Sequence, residues 1–433
     1  MGIKEQAAEV KKAQVFLGSI SLGVRNKALE SISKILNVRK DEIIQANSQD
    51  MAKAEAEKLS APLLKRLKFN DDKIVEVCSG IKSLIGLSDP VGRTILAREL
   101  DKDLELYQVS CPIGVIGMIF ESRPDALVQI ATLCLKSGNG VILKGGSEAY
   151  NTNRILTELI AEATETAGIP SGWIQLAETR QDVSEMLNME KNIDLLIPRG
   201  SNSFVKYIMK NTSIPVMGHA DGICHLFVDE SADLSMAVEL TDDSKTQYVA
   251  VCNALETLLV DKSIAAEFLP LMKERMESKN VELRGCNITR TIIDVKPATE
   301  EDWSTEYLDY TLSVKVVDSL DSAIEHINNY GSGHTDVIVS SNADKAEKFM
   351  NLVDSADTFW NCSTRFSDGF RFGLGAEVGV STNKIHARGP VGLEGLVIYK
   401  WRLRGNGHKV ADYASGNSHF THKIINKEYK SLN

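Results

Sequence analysis

The spacing of apolar residues divides the chain into a helical N-terminal part and a longer part in which strands and helices alternate. Between residues 4 and about 86, apolar side chains recur every three or four positions, as in the run from Ile74 to Ile85, which predicts amphipathic helices. From Pro112 onward, short apolar runs such as Val115–Phe120 alternate with helical patterns. This alternation is typical of a mostly parallel sheet covered by helices on both faces, so we predict an α/β fold.

The same pattern predicts individual elements. Glycine and proline mark many of their ends. The predicted strands cover residues 104–109, 115–120, 141–143, 173–176, 193–197, 214–217, 257–260, 314–317, 335–339, 358–360 and 396–403. The predicted helices of this part cover residues 124–135, 151–167, 183–189, 203–210, 233–240, 262–279, 320–328 and 343–352.

Composition and charge narrow the class of protein. A chain of 433 residues is long enough for two or three domains, and its net charge of −10 argues against a general binder of nucleic acid or of anionic membranes. The seven cysteines show no C-x-x-C pair, which argues against a disulfide framework and a structural metal site. The charged N-terminus and the lack of a long apolar run predict a cytosolic protein without a membrane span.

Three stretches could carry chemistry. Cys252 lies between small residues and beside Asn253, so a ligand could reach the thiol, although a lone cysteine more often fills a core. Lys144 follows a buried strand and precedes two glycines, at the edge where open α/β sheets bind ligands; a solvated loop lysine is the alternative. Gly200 and Ser201 form a glycine turn before a helix, which would suit a pyrophosphate or simply be a helix cap.

Six motifs are spread over nearly the whole chain: Ile119–Pro124, Leu143–Gly146, Pro198–Asn202, Gly218–Cys224, Cys252–Thr257 and His386–Glu394. Together they resemble the aldehyde dehydrogenase superfamily, and within it the branch that acts on glutamyl phosphate. The resemblance implies a Rossmann-type cofactor domain, an α/β catalytic domain and a small protruding β element for oligomerisation.

The resemblance also assigns roles residue by residue. Cys252 matches the catalytic thiol, Lys144 the lysine that binds the adenosine ribose, and Glu306 the glutamate that binds the nicotinamide ribose. Ser147 stands where many relatives that prefer NAD have a glutamate for the ribose 2′-hydroxyl. Serine would not repel a 2′-phosphate, so we expect NADPH as the cofactor, although Glu148 lies beside it.

Two positions depart from the aldehyde dehydrogenases that hydrolyse their thioester. His219 occupies the place of their general-base glutamate, and Ser122 the place of their oxyanion-stabilising asparagine. An enzyme that exchanges its acyl group with phosphate must keep water away from the thioester. Loss of the base that would activate water fits that requirement.

The expected activity is therefore NADPH-dependent reduction of L-glutamyl 5-phosphate to L-glutamate 5-semialdehyde, a step of proline synthesis. Cys252 would form a thioester, with its own N–H and a second donor from Asn253, Ser122 or Arg123 stabilising the oxyanion. The candidates for holding the phosphate are Arg123, Arg365 and Arg388. The candidates for holding the amino-acid end of the substrate are Ser363 and Thr364.

The expected organisation has three parts: cofactor binding in 1–95 and 112–222, catalysis in 223–395, and oligomerisation strands with the tail in 96–111 and 396–433. A homodimer or higher homo-oligomer is expected, and a kinase that supplies the acyl phosphate could associate. Two alternatives remain open from sequence. One is a semialdehyde dehydrogenase that makes a free acid or an acyl-CoA; the other is a dinucleotide-binding module in which Cys252 is merely packed.

Overall fold

The computed structural model of the protein describes residues 2–121, 123–219 and 221–430. The helices are α1 Ile3–Leu17, α2 Leu22–Val38, α3 Lys40–Ala56, α4 Ala61–Leu67, α5 Asp71–Gly86, α6 Pro124–Lys136, α7 Tyr150–Thr166, α8 Arg180–Met186, α9 Asn202–Lys210, α10 Leu234–Thr246, α11 Ala265–Ser278, α12 Asn287–Ile292, α13 Leu320–Tyr330, α14 Ala343–Leu352 and α15 Val410–Ala414. The strands are β1 Thr94–Asp101, β2 Leu104–Pro112, β3 Val115–Phe120, β4 Gly140–Lys144, β5 Ile174–Leu176, β6 Leu195–Arg199, β7 Cys224–Val228, β8 Leu255–Asp261, β9 Glu282–Gly285, β10 Lys296–Pro297, β11 Thr311–Val317, β12 Thr335–Val339, β13 Asp357–Trp360, β14 Gly379–Ser381, β15 Gly389–Val391, β16 Val397–Arg404 and β17 Lys423–Ile424.

The chain forms two compact units, and the first contains a parallel sheet with strand order β5-β4-β3-β6. This unit spans residues 1–200, 204–217 and 391–433. Every residue of β3 and β4 is buried, because helices cover both faces of the sheet, and continuous apolar runs are the sequence signature of such strands. Both strands were predicted from that signature, and β3 matches the prediction to the residue.

Helix α7 begins just beyond the carboxyl end of β4, and its start is held by a buried carboxylate. Asp50 on α3 accepts hydrogen bonds from the backbone N–H of Asn151 at 3.1 Å and of Thr152 at 2.8 Å. These N–H groups have no partner within the helix, so an acidic acceptor satisfies them and favours the positive end of the helix dipole. The contact fixes the loop that carries Lys144.

A second sheet of the first unit is antiparallel, with strand order β16-β2-β1-β17. Strand β16 pairs with β2 along its whole length, from Val397 opposite Pro112 to Arg404 opposite Glu105. The C-terminal residues add β17 to the other edge, where Arg98 lies opposite Ile424. The described part of the polar tail beyond Ala414 is therefore tied to this sheet.

The second unit comprises residues 201–203 and 218–390 and contains a parallel sheet with strand order β10-β9-β11-β8-β7-β12-β13. Its core is formed by apolar side chains of β7, β8, β11 and β12 against α10 and α11. Strands β8, β7 and β12 are neighbours and run in the same direction. The loops that precede these three strands therefore meet at one edge of the sheet.

The structure differs from the predicted strands in several places. Strands β1, β9, β10, β14, β15 and β17 were not predicted. Residues 214–217 make only an isolated bridge, between Val216 and Leu196, rather than a strand. Strand β7 was missed, because His225 interrupts a short apolar run; His225 is nevertheless fully buried, since its backbone N–H and its ring Nδ1 both bond Asp336 Oδ1, at 2.8 and 2.9 Å. No helix in the described parts of the chain combines the length and hydropathy that a bilayer crossing requires.

Candidate active site

Cys252 lies in the tight turn before β8. The loop before β7 passes close to this turn at Gly222. The N–H of Ala254 donates to the carbonyl of Val251 at 3.1 Å, which closes the turn, and the thiol is half-buried. A side chain on Gly222 would place its Cβ only 2.1 Å from the Cys252 carbonyl oxygen and 2.5 Å from its Cα. Position 222 must therefore be glycine for the Cys252 turn to keep its place.

A second thiol lies directly behind the first. The Sγ–H of Cys224, the first residue of β7, donates to the Cys252 carbonyl at 3.2 Å. Cys224 is fully buried, and burial raises the pKa of its thiol well above the ordinary value. The two cysteines therefore differ in chemistry: Cys224 stays protonated and inaccessible, whereas Cys252 is reachable.

Two histidines from neighbouring loops stand beside Cys252. His219 precedes β7 and His334 precedes β12; one ring nitrogen of each and the Cys252 Sγ all lie within 4.8 Å of one another. The two rings meet edge to face, with centroids 5.1 Å apart. Sequence analysis singled out His219, but it missed His334, because only strand order brings that loop next to the cysteine.

The predicted substrate residues Ser363 and Thr364 lie in the same unit but are buried and engaged in hydrogen bonds within the protein. Ser244 Oγ bonds Ser363 Oγ at 3.1 Å, and Thr364 Oγ1 donates to the Asn253 carbonyl at 2.7 Å. The Asn253 amide in turn donates to the Ser367 carbonyl at 2.7 Å. These contacts fasten the 363–367 loop to the Cys252 turn, so the loop and the thiol keep a fixed geometry.

The three predicted phosphate-binding arginines have different surroundings. Arg365 is largely buried, donates from Nε to Gln247 Oε1 at 3.0 Å, and has its pKa lowered by burial first and by Arg371 next, while the charge of Cys252 opposes that shift. Arg388 is committed to the Asp354 carbonyl and carboxylate, at 2.9 and 3.1 Å. Arg123 lies in the first unit and is half-exposed.

A cavity of about 610 Å³ opens in the first unit at the carboxyl end of β4. Lys144, Gly145, Gly146 and Ser147 line it, as the predicted cofactor loop should, and burial lowers the pKa of Lys144. Arg180, the first residue of α8, also lines the cavity and was missed from sequence. Its charge contributes to the lowered pKa of Lys144. The cavity lining therefore holds two cations, together with the carboxylates of Glu121, Glu148 and Glu178.

The cavity fits a dinucleotide in size, and its two cations could hold phosphate groups. Pockets for such ligands are typically about 300–1,000 Å³. The paired cations suit phosphate groups, and the flexible glycines allow close approach of a ribose. The remaining predicted cofactor residues are placed near the start of α9: Gly200 and Ser201 precede it and are exposed.

Glu306 is held at the start of α9 by an amide bridge. Asn202 Nδ2 donates to Glu306 Oε2 at 2.6 Å and to Asp221 Oδ1 at 2.9 Å. Behind this bridge, the N–H of Leu308 donates to Glu256, which pairs with Lys245 at 2.6 Å; both charged side chains are fully buried, and burial raises the pKa of Glu256. Ser122, the remaining predicted site residue, lies outside the described residues.

Comparison with known proteins identifies the family of the chain. The aldehyde dehydrogenase family model matches residues 2–285. The chain belongs to the aldehyde dehydrogenase family. Membership confirms the resemblance seen in the sequence and makes the protein an oxidoreductase of a family that uses a nicotinamide cofactor.

Three relatives define its place in the family. The chain is 65% identical to a γ-glutamyl phosphate reductase of Acetivibrio thermocellus, over 99% of this chain and 100% of the relative. It is 63% identical to that of Pelotomaculum thermopropionicum, over 99% of each chain. The crystal structure of γ-glutamyl phosphate reductase from Thermotoga maritima superposes with a TM-score of 0.92 at 42% identity, over 94% of this chain and 100% of that one. The predicted fold class is confirmed.

The close approach at position 222 predicts the effect of one added methyl group. Gly222→Ala should displace the Cys252 turn and lower the rate of aldehyde oxidation by about a hundredfold, the scale expected of an ångström-sized misplacement. The rate of Cys252 alkylation, followed by mass spectrometry of its peptide, should change with it. Gly80→Ala on α5, where an added Cβ meets nothing within 4 Å, is the control and should leave both rates unchanged. Unaltered rates in Gly222→Ala would contradict the proposed constraint.

Proposed function

We propose that the protein reduces L-glutamyl 5-phosphate to L-glutamate 5-semialdehyde with NADPH, releasing phosphate, as a step of proline biosynthesis in the cytosol. The observation that carries the proposal is a half-buried Cys252 whose sulfur lies within 4.8 Å of one ring nitrogen each of His219 and His334. The high identity to enzymes named γ-glutamyl phosphate reductase supplies the substrate class.

The first step is attack by the Cys252 thiolate on the acyl carbon of the substrate. A C–S bond forms, the C–O bond to phosphate breaks, and phosphate leaves with the electron pair. His219 Nδ1 lies 3.0 Å from the Val380 carbonyl. Its Nδ1 therefore donates to this carbonyl, which holds the ring beside the thiol.

Arg365 is the best placed of the candidate cations for the phosphate group. It belongs to the same unit as Cys252, and the two side chains interact electrostatically. A guanidinium has five N–H donors, so its bond to Gln247 leaves capacity for an oxyanion. Arg388 is less suitable, because Asp354 already neutralises it.

The cofactor cavity supports a preference for the 2′-phosphorylated dinucleotide. When bound, NADPH supplies the hydride that reduces the thioester to the aldehyde. Lys144 and Arg180 would hold the adenosine end, including its 2′-phosphate, and Ser147 leaves room for that group. Glu306, fixed by Asn202, would accept hydrogen bonds from the nicotinamide ribose.

The alternatives fit the site less well. An enzyme that releases a free acid needs a carboxylate to activate water at the thioester, and His219 stands where that base would be. A binding module with a packed cysteine is disfavoured by membership of an oxidoreductase family and by the accessible thiol. An enzyme that transfers the acyl group to coenzyme A can be distinguished by adding coenzyme A in place of phosphate.

Self-association is part of the proposal. Strand β16 forms one edge of the antiparallel sheet, and its outward side chains Tyr399, Trp401 and Leu403 are more than half exposed. An exposed apolar edge strand is a ready surface for pairing with a second copy of the chain. Association with the kinase that makes the acyl phosphate would protect that intermediate from water.

Replacement of the thiol tests the nucleophile. Cys252→Ser should lower kcat by more than about a hundredfold, a barrier increase of over ~2.7 kcal/mol, because a hydroxyl at its ordinary pKa is a poor nucleophile. NADPH binding and the unfolding midpoint should be unchanged. Cys286→Ser, which replaces another half-buried thiol of the same unit, is the matched control and should keep full activity. Substantial turnover by Cys252→Ser would remove the basis of the mechanism.

Substitution of Arg180, which lines the cofactor cavity, tests the preference for NADPH over NADH. The enzyme should prefer NADPH over NADH in kcat/KM, and Arg180→Ala should reduce that preference by about tenfold or more, since a charge-assisted hydrogen bond contributes roughly 1.5–3 kcal/mol. The effect should appear with NADPH and not with NADH. Arg154→Ala on α7, whose partner is Glu158, should leave the ratio unchanged. An equal loss with both cofactors would mean that Arg180 does not contact the 2′-phosphate.

The acyl acceptor is tested in the reverse direction. Oxidation of glutamate semialdehyde with NADP⁺ should require phosphate or arsenate and should yield almost no free glutamate in phosphate-free buffer, because the site lacks the water-activating carboxylate. Coenzyme A should not replace phosphate. Steady NADPH formation in buffer alone, at a rate comparable to that with phosphate, would identify water as the acceptor and refute the proposed reaction.

A further inference from the structure

The cluster of His219, Cys252 and His334 contains the proposed nucleophile, but the same three side chains could also bind a metal ion. Imidazole nitrogens and a thiolate are the ligands that Zn²⁺ and related thiophilic ions prefer. The three residues come from loops that precede three adjacent parallel strands, so rigid elements hold them. Residue spacing along the chain gave no sign of such a site.

Hydrogen bonds at Nδ1 of both rings leave Nε2 as the nitrogen that could bind a metal. His219 Nδ1 is 3.0 Å from the Val380 carbonyl, and His334 Nδ1 is 2.8 Å from Thr335 Oγ1. Thr335 Oγ1 in turn donates to Asp357 Oδ2, at 3.4 Å. Each ring therefore carries its proton on Nδ1 and its lone pair on Nε2, which is the arrangement that orients metal-binding histidines in proteins.

His334 provides the independent sign of a missing partner. Its side chain is fully buried, and its Nε2 has no hydrogen-bond partner among the described residues. A buried polar nitrogen without a partner is costly and calls for an explanation, such as an ion. A tetrahedral Zn²⁺ with two nitrogens and one sulfur separates its ligand atoms by about 3.3–3.6 Å; atoms already within 4.8 Å need only small side-chain movements.

We propose that the enzyme binds a thiophilic divalent cation of the Zn²⁺ class through Cys252, His219 and His334, with the fourth position open. The ion replaces the thiol proton, which passes to solvent, and forms a metal–sulfur bond; no electron is transferred. Metal binding stands on the geometry alone. Its consequence rests on the proposed function: an ion on the Cys252 sulfur removes the nucleophile and inhibits the enzyme reversibly.

The neighbouring thiol makes the proposal specific. Cys224 Sγ lies 3.9 Å from His334 Nδ1 and could in principle be the sulfur ligand instead. Its complete burial and its bond to the Cys252 carbonyl both oppose loss of its proton. Cys252 is therefore the ligand, and the two cysteines can be distinguished by substitution.

The test uses the full-length enzyme without substrate or cofactor. Zn²⁺ is titrated by calorimetry, and Cd²⁺ is used as a probe because a cadmium–thiolate bond gives an ultraviolet charge-transfer band. Cys252→Ala should abolish the band, whereas Cys224→Ser should retain it. His219→Asn and His334→Asn should each weaken Zn²⁺ binding by about tenfold or more, since even loss of a partner behind a ligand costs about 10–100-fold.

Two histidine controls match these variants. His326→Asn replaces another buried ring whose Nε2 has no partner among the described residues, and His419→Asn replaces an exposed one; both should bind Zn²⁺ with unchanged affinity. Circular dichroism and the unfolding midpoint establish that each variant folds. If His334→Asn does not fold, the half-buried His219 supplies the decisive variant.

The outcomes separate this inference from the proposed function. An unchanged band in Cys252→Ala, or unchanged Zn²⁺ affinity in the His219 variant, would overturn the metal site. Zn²⁺ should also inhibit the unsubstituted enzyme, and a chelator should restore its activity. If the metal binds as described but Cys252→Ser remains active, the nucleophile assignment fails and the metal site stands; if Cys252→Ser is inactive and Zn²⁺ does not bind, the reverse holds.

Discussion

The contact between Gly222 and the backbone of Cys252 is the constraint on which the site depends. It lets the loop before β7 lie directly against the turn before β8, at a distance that any side chain would prevent. The thiol is thereby fixed beside His219, and the parallel register of β7 with β12 brings His334 to the same edge. The chemistry of the second unit follows from three parallel strands whose preceding loops converge.

Elements that are buried along their whole length, or that have one regular buried face, could be predicted from the sequence. Strands β3 and β12 and helix α14 match to the residue, because continuous burial or a regular amphipathic face leaves a clear pattern. The pattern failed where burial depends on a distant partner: His225 makes β7 look polar, and only Asp336, on the neighbouring strand, explains how an imidazole can be fully buried there. Residues 214–217 show the opposite error, an apolar run without a full partner strand.

Candidate site residues that lie in family motifs could be predicted from the sequence. Residues that only the fold brings together could not. Cys252, Lys144 and the glycine turn at Gly200 and Ser201 lie in continuous motifs, so they could be chosen as candidates from the sequence alone. His334 and Arg180 gave no such signal, because each becomes relevant only through a neighbour that is remote along the chain. Sequence also could not rank the arginines, since the difference between Arg365 and Arg388 is that an aspartate neutralises one of them.

Replacement of a carboxylate by imidazole beside the thiol has two consequences that oppose each other. Under the proposed function, an imidazole whose Nδ1 bonds a backbone carbonyl rather than a carboxylate would be a weaker activator of water, so the thioester would survive until phosphate arrives. The same lone pair, held on Nε2 by the hydrogen bond at Nδ1, is a good ligand for soft cations, which a hydrolytic site with a glutamate would attract less strongly. Protection of the intermediate therefore brings sensitivity to thiophilic metals, and occupancy of the thiol by its acyl group is what would keep such an ion away during turnover.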